Sequence, residues 1–470
     1  MNAVIELTRP TIEASWLAEP ELRFADGHLD VDPKVGVSLW GPLSAGTARH
    51  PRHIRAGFVG RAPAVERVRD FLEEDLGIGV DGDLASQPFP GLKSSFGTSL
   101  VADDRLVETI TAHELASIGS GKPRQRFESF VDLIDAKVRL LAERDRPPDI
   151  VFVALDDELL KSFKTVDYFE NKQAHHRDLR RAIKARAMAL RMPTQLIHET
   201  TTRRVPAGRR SLDHPAEIAW HLSTGLYFKA GGLPWGATGL DDGTCFVGIG
   251  FYRPLGDQSS LVSSVVQAFD DRGEGLVLRG QSFHWDERHQ GRSPHLPAEA
   301  AAHLLSATIE RYKAERRQAP RRVVVHKSSW FEPAERDGFV EALRSIPEFD
   351  LLALRRTSDW RLLRFGKYPP LRGTVLTAGE HNLLYTTGWI ADLGYDHGHV
   401  PAPIEIADHY GDSDLRRLLR ETLVLTKMNW NSAGFADADP ITLRFSRQVG
   451  EILREVPPTQ DPLPQYRYYM

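Results

Sequence analysis

Six cations fall within 15 residues, at Arg177, Arg180, Arg181, Lys184, Arg186 and Arg191. On a helix, Arg180 and Lys184 stack one turn apart, and Arg177, Arg181 and Lys184 share a neighbouring face. A basic run of this kind is usually a solvated helix face. Here Asp178 is the one acid interleaved with it, and the run leads into Pro193-Thr194-Gln195, a corner where a polar glutamine packs poorly. Cations beside an amide donor at such a corner suit a terminal phosphate. Lys229, ahead of Gly231-Gly232, is a further cation at a helix end. Taken alone, it reads better as a C-terminal cap favoured by the helix dipole.

The elements that must position these side chains follow from periodicity and punctuation. Turn formers crowd the first hundred residues (Asp32-Pro33, Gly41-Pro42, Asp81-Gly82 and Pro88-Phe89-Pro90-Gly91), with one amphipathic helix over 63–76 carried by Val65, Val68, Phe71 and Leu72. A second helix is predicted over 127–143. After Pro147-Pro148 comes an unbroken apolar run, 150–155, which reads as a buried parallel strand. The basic helix follows over 177–190, then a short strand over 195–197 and a helix over 215–228. Strand and helix in alternation make a Rossmann-like unit.

After Gly239-Leu-Asp-Asp-Gly243 the pattern resets. Strands are predicted over 244–252, 260–270 and 275–282, then a helix over 297–316, a strand over 322–326 and a helix over 333–345. Strands over 349–354, 360–364 and 421–427 and a helix over 442–454 close the chain. Three consecutive strands, then strands alternating with helices, is the order of a ribonuclease-H-type fold. The expected fold class is therefore α/β, in two units.

Composition limits the function. The 470 residues carry 60 Lys+Arg against 64 Asp+Glu, a net charge of −4, with 41% hydrophobic residues and 9 Trp. That is ample material for a core and excludes global disorder and a uniformly basic nucleic-acid coat, while a local basic groove stays open. Cys245 is the one cysteine, which excludes an internal disulfide framework and a cysteine zinc site and points to a reducing, cytoplasmic setting. Glu6, Arg9 and Glu13 interrupt the start, so no signal-peptide core is expected there, and no run approaches 18 apolar residues.

A ribonuclease-H-type nuclease needs three or four carboxylates converging on two divalent ions. Val247-Gly-Ile-Gly-Phe251, in the first strand of the second unit, has none, and neither has His326-Lys327-Ser328-Ser329. Asp437 and Asp439 precede Pro440 and read as turn or cap residues.

With these residues in view, the chain resembles the short prokaryotic Argonautes, which have a MID and a PIWI domain and no PAZ domain. Leu17-Ala-Glu-Pro20, Phe24, Asp32-Pro33, Gly36, Gly41-Pro42 and Phe89-Pro90-Gly91 resemble the family's N-terminal segment. Arg180, Lys184 and Gln195, with Lys229 before Gly231-Gly232, are similar to the MID pocket for a guide's 5′ phosphate. Val247–Gly250 and Val323–Lys327 look like the first and fourth PIWI strands, and Pro440–Val449 like its last helix. The resemblance implies a linker-like segment over 1–110, a Rossmann-like MID domain over 111–240 and a ribonuclease-H-like PIWI domain over 241–470.

The departures carry as much information. Gly250 stands at the first catalytic aspartate's place, Ser328 at the second's and Arg447 at the last acid's. Gln281 and Glu287 lie near the place of the inserted glutamate without matching it. The resemblance thus implies a PIWI domain that does not cut. It implies a guide-dependent sensor that holds a 5′-phosphorylated short guide, RNA rather than DNA, and recognises complementary single-stranded DNA. It also implies Mg²⁺ at the guide phosphate, held with the C-terminal carboxylate of Met470. The implied partner is a separate APAZ-containing effector, a sirtuin-like NADase rather than a TIR protein or a nuclease, acting in defence against plasmids or phages, with no membrane. The alternative is a PIWI nuclease that cuts the target with displaced carboxylates such as Asp437, Asp439 or Glu287. A small-molecule enzyme has weak support, since no GxGxxG follows 150–155.

Overall fold

The structure is a computed structural model describing residues 11–84, 86–170, 173–204, 212–256, 260–268, 275–363, 365, 369–390 and 400–470. Glu6, Arg9, Asp270 and Arg364, used in the sequence reading, lie outside the described residues.

A four-stranded, all-parallel sheet forms the first unit, in the order Ser99–Thr109, His53–Gly60, Ile150–Leu155, Thr194–His198. Every residue of Ile150–Leu155 is buried. Ile150, Phe152 and Ala154 enter one apolar cluster, and Val151, Val153 and Leu155 the other. That alternation is the period of a strand clamped between helical layers, each buried large apolar side chain contributing roughly 1.5–3 kcal/mol. Helices Pro123–Ala142 and Leu179–Ala189 cover one face through Phe130, Ile134, Val138 and Ile183. Ala62–Phe71 and Pro215–Lys229 cover the other through Val65, Val68 and Trp220.

Two of the four strands come from residues 53–109, which the sequence reading left in the linker-like segment. His53–Gly60 mixes two basic residues and two glycines into its sequence, and Ser99–Thr109, an edge strand, carries Asp103, Asp104 and Arg105. Neither reads as an apolar run, and a charged edge is what keeps such a strand from pairing with other chains.

The second unit is a nine-stranded sheet. Leu276–His284, Ser260–Ala268 and Thr244–Tyr252 run antiparallel to one another. Thr244–Tyr252 then pairs in parallel with Arg322–Lys327, which pairs in parallel with Glu348–Arg356. This is the strand order and sense of a ribonuclease-H core. Ile404–Gly411, His381–Leu384 and Thr374–Ala378 extend it, and Ile12–Trp16 adds an antiparallel strand at the far edge. Helices Ala298–Arg316 and Pro333–Leu343 pack on one face through Leu305, Ile309 and Phe339. The closing helix, Ile441–Leu453, packs on the other. At Gly248 it comes so close that a Cβ would lie 2.1 Å from the Thr442 carbonyl oxygen, so only glycine fits there.

Two predicted strands are absent. Residues 415–425 form a helix, capped by Asp414, whose carboxylate accepts from the Arg417 amide. Its buried Leu418, Leu419, Thr422 and Leu423 follow a helical period that a window opening at Glu421 does not contain. The described part of 360–364 has no regular structure, and the Leu362 amide there donates to the Tyr385 hydroxyl at 2.7 Å. No helix among the described residues is long and apolar enough to cross a membrane.

Candidate nucleic-acid interface

The basic helix begins two residues later than its sequence suggests. Gln173–Asp178 is the second strand of a hairpin with Thr165–Glu170, and Asp178 caps Leu179–Ala189 by accepting from the Arg181 amide at 3.1 Å. Its cations sort into two groups. Arg177 pairs with Glu128 and, at 2.7 Å, with Glu455. Arg181 pairs with Glu451 at 2.9 Å, and Arg186 with Asp132 at 3.1 Å. Asp178 is the one acid close to these cations in sequence; their counter-charges come from other elements, and Glu451 and Glu455 belong to or follow the closing helix. Arg177 and Arg181 therefore bolt the first unit to the second.

Lys184 lies on the inner face. Its ammonium donates to the Thr194 carbonyl at 3.0 Å. Lys229, the last residue of helix Pro215–Lys229, donates to the same oxygen at 3.2 Å and to the Gln195 side-chain oxygen at 2.5 Å. The helix stops there in a glycine turn. Gly231, at φ +100°, donates to Phe228, and Gly232 donates to Tyr227. A Cβ on Gly232 would strike the Tyr227 ring at 2.3 Å, so the close turn that delivers Lys229 requires glycine.

Both lysines are about 2–3% exposed, and the acceptors recorded for them are neutral. An ammonium group removed from water needs an anion or loses its proton. Burial first, then Lys229 and Arg180, pushes Lys184 well below the usual lysine range. Burial, then Arg180, pulls Lys229 down to about 7. Arg180 is exposed on the same helix, and burial lowers its pKa, with Tyr466, Asp178 and Glu451 acting against that shift. The structure thus brings Lys184, Gln195 and Lys229 together at the Thr194 carbonyl, with Arg180 one turn before Lys184 and acting electrostatically on both lysines.

The C-terminal segment closes over this corner. Tyr466 is buried, stacks on Phe445 at 3.5 Å and donates to Gln448 at 2.9 Å. Burial holds its phenol well above the ordinary range, and Arg180 acts against that shift. Arg279 donates to the carbonyls of Val456, Pro457 and Gln460, and Val277 donates to Pro464 at 2.7 Å. Met470 is buried in the apolar cluster that joins both units. Arg467 flanks Gly231 and, with Arg49, lines a cavity of about 220 Å³ beside the pocket. Sequence reasoning passed over Arg467, although a cation set among tyrosines was a usable signal.

In the second unit, Gly250 is buried near the end of its strand, Ser328 is exposed just past the end of Arg322–Lys327, and Arg447 is exposed on the closing helix. His326, opposite Gly248, bonds the Thr442 hydroxyl at 2.8 Å. Burial, then Arg322, pushes its imidazole down to about 3, so it is neutral. Asp439 pairs with Arg447 and, at 2.8 Å, with Arg356. Asp437 pairs with Arg444 at 2.7 Å and Glu287 with Arg253 at 2.8 Å. Gln281 is exposed. Among the described residues no group of three or more His, Cys, Asp or Glu side chains could hold a metal ion.

No family model matches the sequence, and no curated protein matches it. Solved structures do. Clostridium butyricum Argonaute bound to a guide DNA (5′ deoxycytidine) and a 19-mer target DNA aligns with 96% of this chain at a TM-score of 0.67 and 15% identity. The fold is that of Argonaute and Piwi proteins. Drosophila Piwi (97% of this chain, TM-score 0.60, 13% identity) and A. aeolicus Argonaute (95%, 0.58, 15%) share it. The matches cover 54%, 56% and 53% of those chains, so this chain spans about half their length. The first unit is the Rossmann-like MID type and the second the ribonuclease-H-like PIWI type.

Proposed function

We propose that the chain is a guide-dependent nucleic-acid sensor. A short RNA guide enters with its 5′ phosphate at Arg180, Lys184, Gln195 and Lys229, and complementary single-stranded DNA pairs with the guide along the PIWI-type sheet. The protein grips backbone and duplex shape while base pairing carries the sequence. One observation carries this reading: two buried lysines meet on the neutral Thr194 carbonyl with no anion beside them among the described residues, a cluster whose charge a phosphate would complete. The Clostridium butyricum relative, solved with guide and target DNA, supports a guide–target duplex on this fold.

The second unit binds without cutting. Gly250, Ser328 and Arg447 offer no carboxylate, and Arg447 adds positive charge where metal ions would sit. A nuclease built on Asp437, Asp439 or Glu287 is less well supported, because each of these already engages an arginine. The output then passes to a separate APAZ-containing partner, a sirtuin-like NADase, whose NAD depletion serves defence against plasmids or phages; the family resemblance supports this step.

Magnesium does not fit the guide-free corner as a resident ion. The oxygens there, from Thr194 and Gln195, are neutral and already taken by lysines. With a guide bound, the Met470 carboxylate and the guide phosphate would be the groups able to hold Mg²⁺, which would supply charge neutralisation there. Measuring affinity for 5′-phosphorylated and 5′-hydroxyl guides tests the reading. A clear preference for the phosphate is expected, and equal affinity would overturn it.

A further inference from the structure

Arg356 and Arg447 lie 91 positions apart in the sequence and meet at one carboxylate. The Arg356 Nε donates to one Asp439 oxygen at 2.8 Å, and an Arg447 terminal nitrogen donates to the other. Asp439 is mostly buried, at 13% side-chain exposure, whereas the two arginines keep 50% and 58% of their side chains in solvent. The acid therefore acts as a fixed seat. It holds two guanidinium groups side by side through one nitrogen each, and their outer faces stay open. Arg444, held by Asp437, adds a third cation, so the cluster of three arginines and two aspartates is net positive.

The place matters as much as the charge. Arg356 is the last residue of strand Glu348–Arg356, Ser328 follows the neighbouring parallel strand, and Arg447 belongs to the helix packed on Gly248. The carboxyl ends of adjacent parallel strands are where ligands bind open α/β sheets. A nuclease on this framework needs acids there to hold cations. This chain instead presents arginines, which bind phosphate oxygens directly and through paired donors.

We infer that Arg356 and Arg447, aligned by Asp439, form a clamp for a single backbone phosphate of the bound target strand, at the place where a cutting enzyme would hold metal ions. The clamp rests on the sensor reading and adds to it a fixed register point. The second unit would hold one phosphate rather than slide along many.

The test uses guide-loaded protein and a set of target DNAs, each with one phosphate replaced by a neutral methylphosphonate. Dissociation constants are measured for wild type, Arg356→Gln and Arg447→Gln. One position should weaken wild-type binding about tenfold, the scale of a charge-assisted bond. Each variant should weaken the unmodified target similarly and lose the penalty at that position alone, with an unchanged unfolding midpoint. Equal penalties along the strand, or a penalty that persists in both variants, would overturn the clamp while the sensor stands. Failure of wild type to prefer complementary over scrambled unmodified DNA would overturn both.

Discussion

Lys184 and Lys229 donate to the same oxygen, the Thr194 carbonyl, at 3.0 and 3.2 Å. They come from two different helices, and Thr194 opens the strand between them in the sheet's layering. The glycine turn at Gly231-Gly232 and the Asp178 cap are the local devices that bring them there.

Lys184→Ala should therefore weaken a 5′-phosphorylated guide by roughly tenfold or more, since charge-assisted bonds contribute about 1.5–3 kcal/mol. A 5′-hydroxyl guide should lose much less. Fluorescence anisotropy with both guides checks this; equal losses would make Lys184 part of a general backbone track.

Guide binding should also take up a proton. Lys229 titrates near 7 in the free protein, with Lys184, Arg180 and Tyr466 facing the same corner. A bound phosphate restores its charge. Affinity for the phosphorylated guide should fall as pH rises from 7 to 9, by at most tenfold per unit for each proton taken up by Lys229 and Lys184, while the 5′-hydroxyl guide shows little slope. For folding the sign is opposite. The unfolded chain binds more protons between about 7 and 10.5, so the guide-free protein should gain stability as pH rises through that window. A pH-independent preference for phosphate would contradict the protonation of Lys229.

Chelation gives a third comparison. Because lysines remain in the pocket when Mg²⁺ is removed, EDTA should reduce the phosphate preference less than Lys184→Ala does. The reverse ranking in parallel titrations would move the main grip from the lysines to the metal.

The parts of this protein that were legible in its sequence are those where a strand or helix carries its own pattern. Ile150–Leu155 and Arg322–Lys327 read as buried strands because helices cover both faces, so the first is apolar throughout and the second carries an unbroken Val323-Val324-Val325 centre. The grouping of Arg180, Lys184 and Gln195 was legible because they lie within 16 residues of one another, whereas Lys229, 34 residues beyond Gln195, reaches them only through the fold. His53–Gly60 and Ser99–Thr109 were not legible, since glycines and edge charges hide their pairing. The partners of Arg177 and the joint seat of Arg356 and Arg447 were also hidden. Glu455 lies 278 positions from Arg177 and Asp439 lies 83 from Arg356, and only the packing of the closing helix brings these pairs together.

Arg322 shows how strongly that packing depends on buried charge. It is 2% exposed and binds Asp350 at 2.7 Å and Glu421 at 2.5 Å, joining two strands to helix Leu415–Leu425. Burial lowers its pKa, but Glu421 and Asp350 outweigh that and leave it raised. Arg322→Met would strand two carboxylates in the core. It should cost about 3–5 kcal/mol in urea unfolding, and a loss under 1 kcal/mol would show that water reaches the site.

The most direct measurement incubates guide-loaded protein with end-labelled complementary and scrambled single-stranded DNA in Mg²⁺ or Mn²⁺, reading binding and strand integrity from the same samples. Tight, guide-dependent binding of the complementary strand, recovered at full length, is the expected result. Cutting opposite the guide, abolished by Asp439→Ala, would contradict the account.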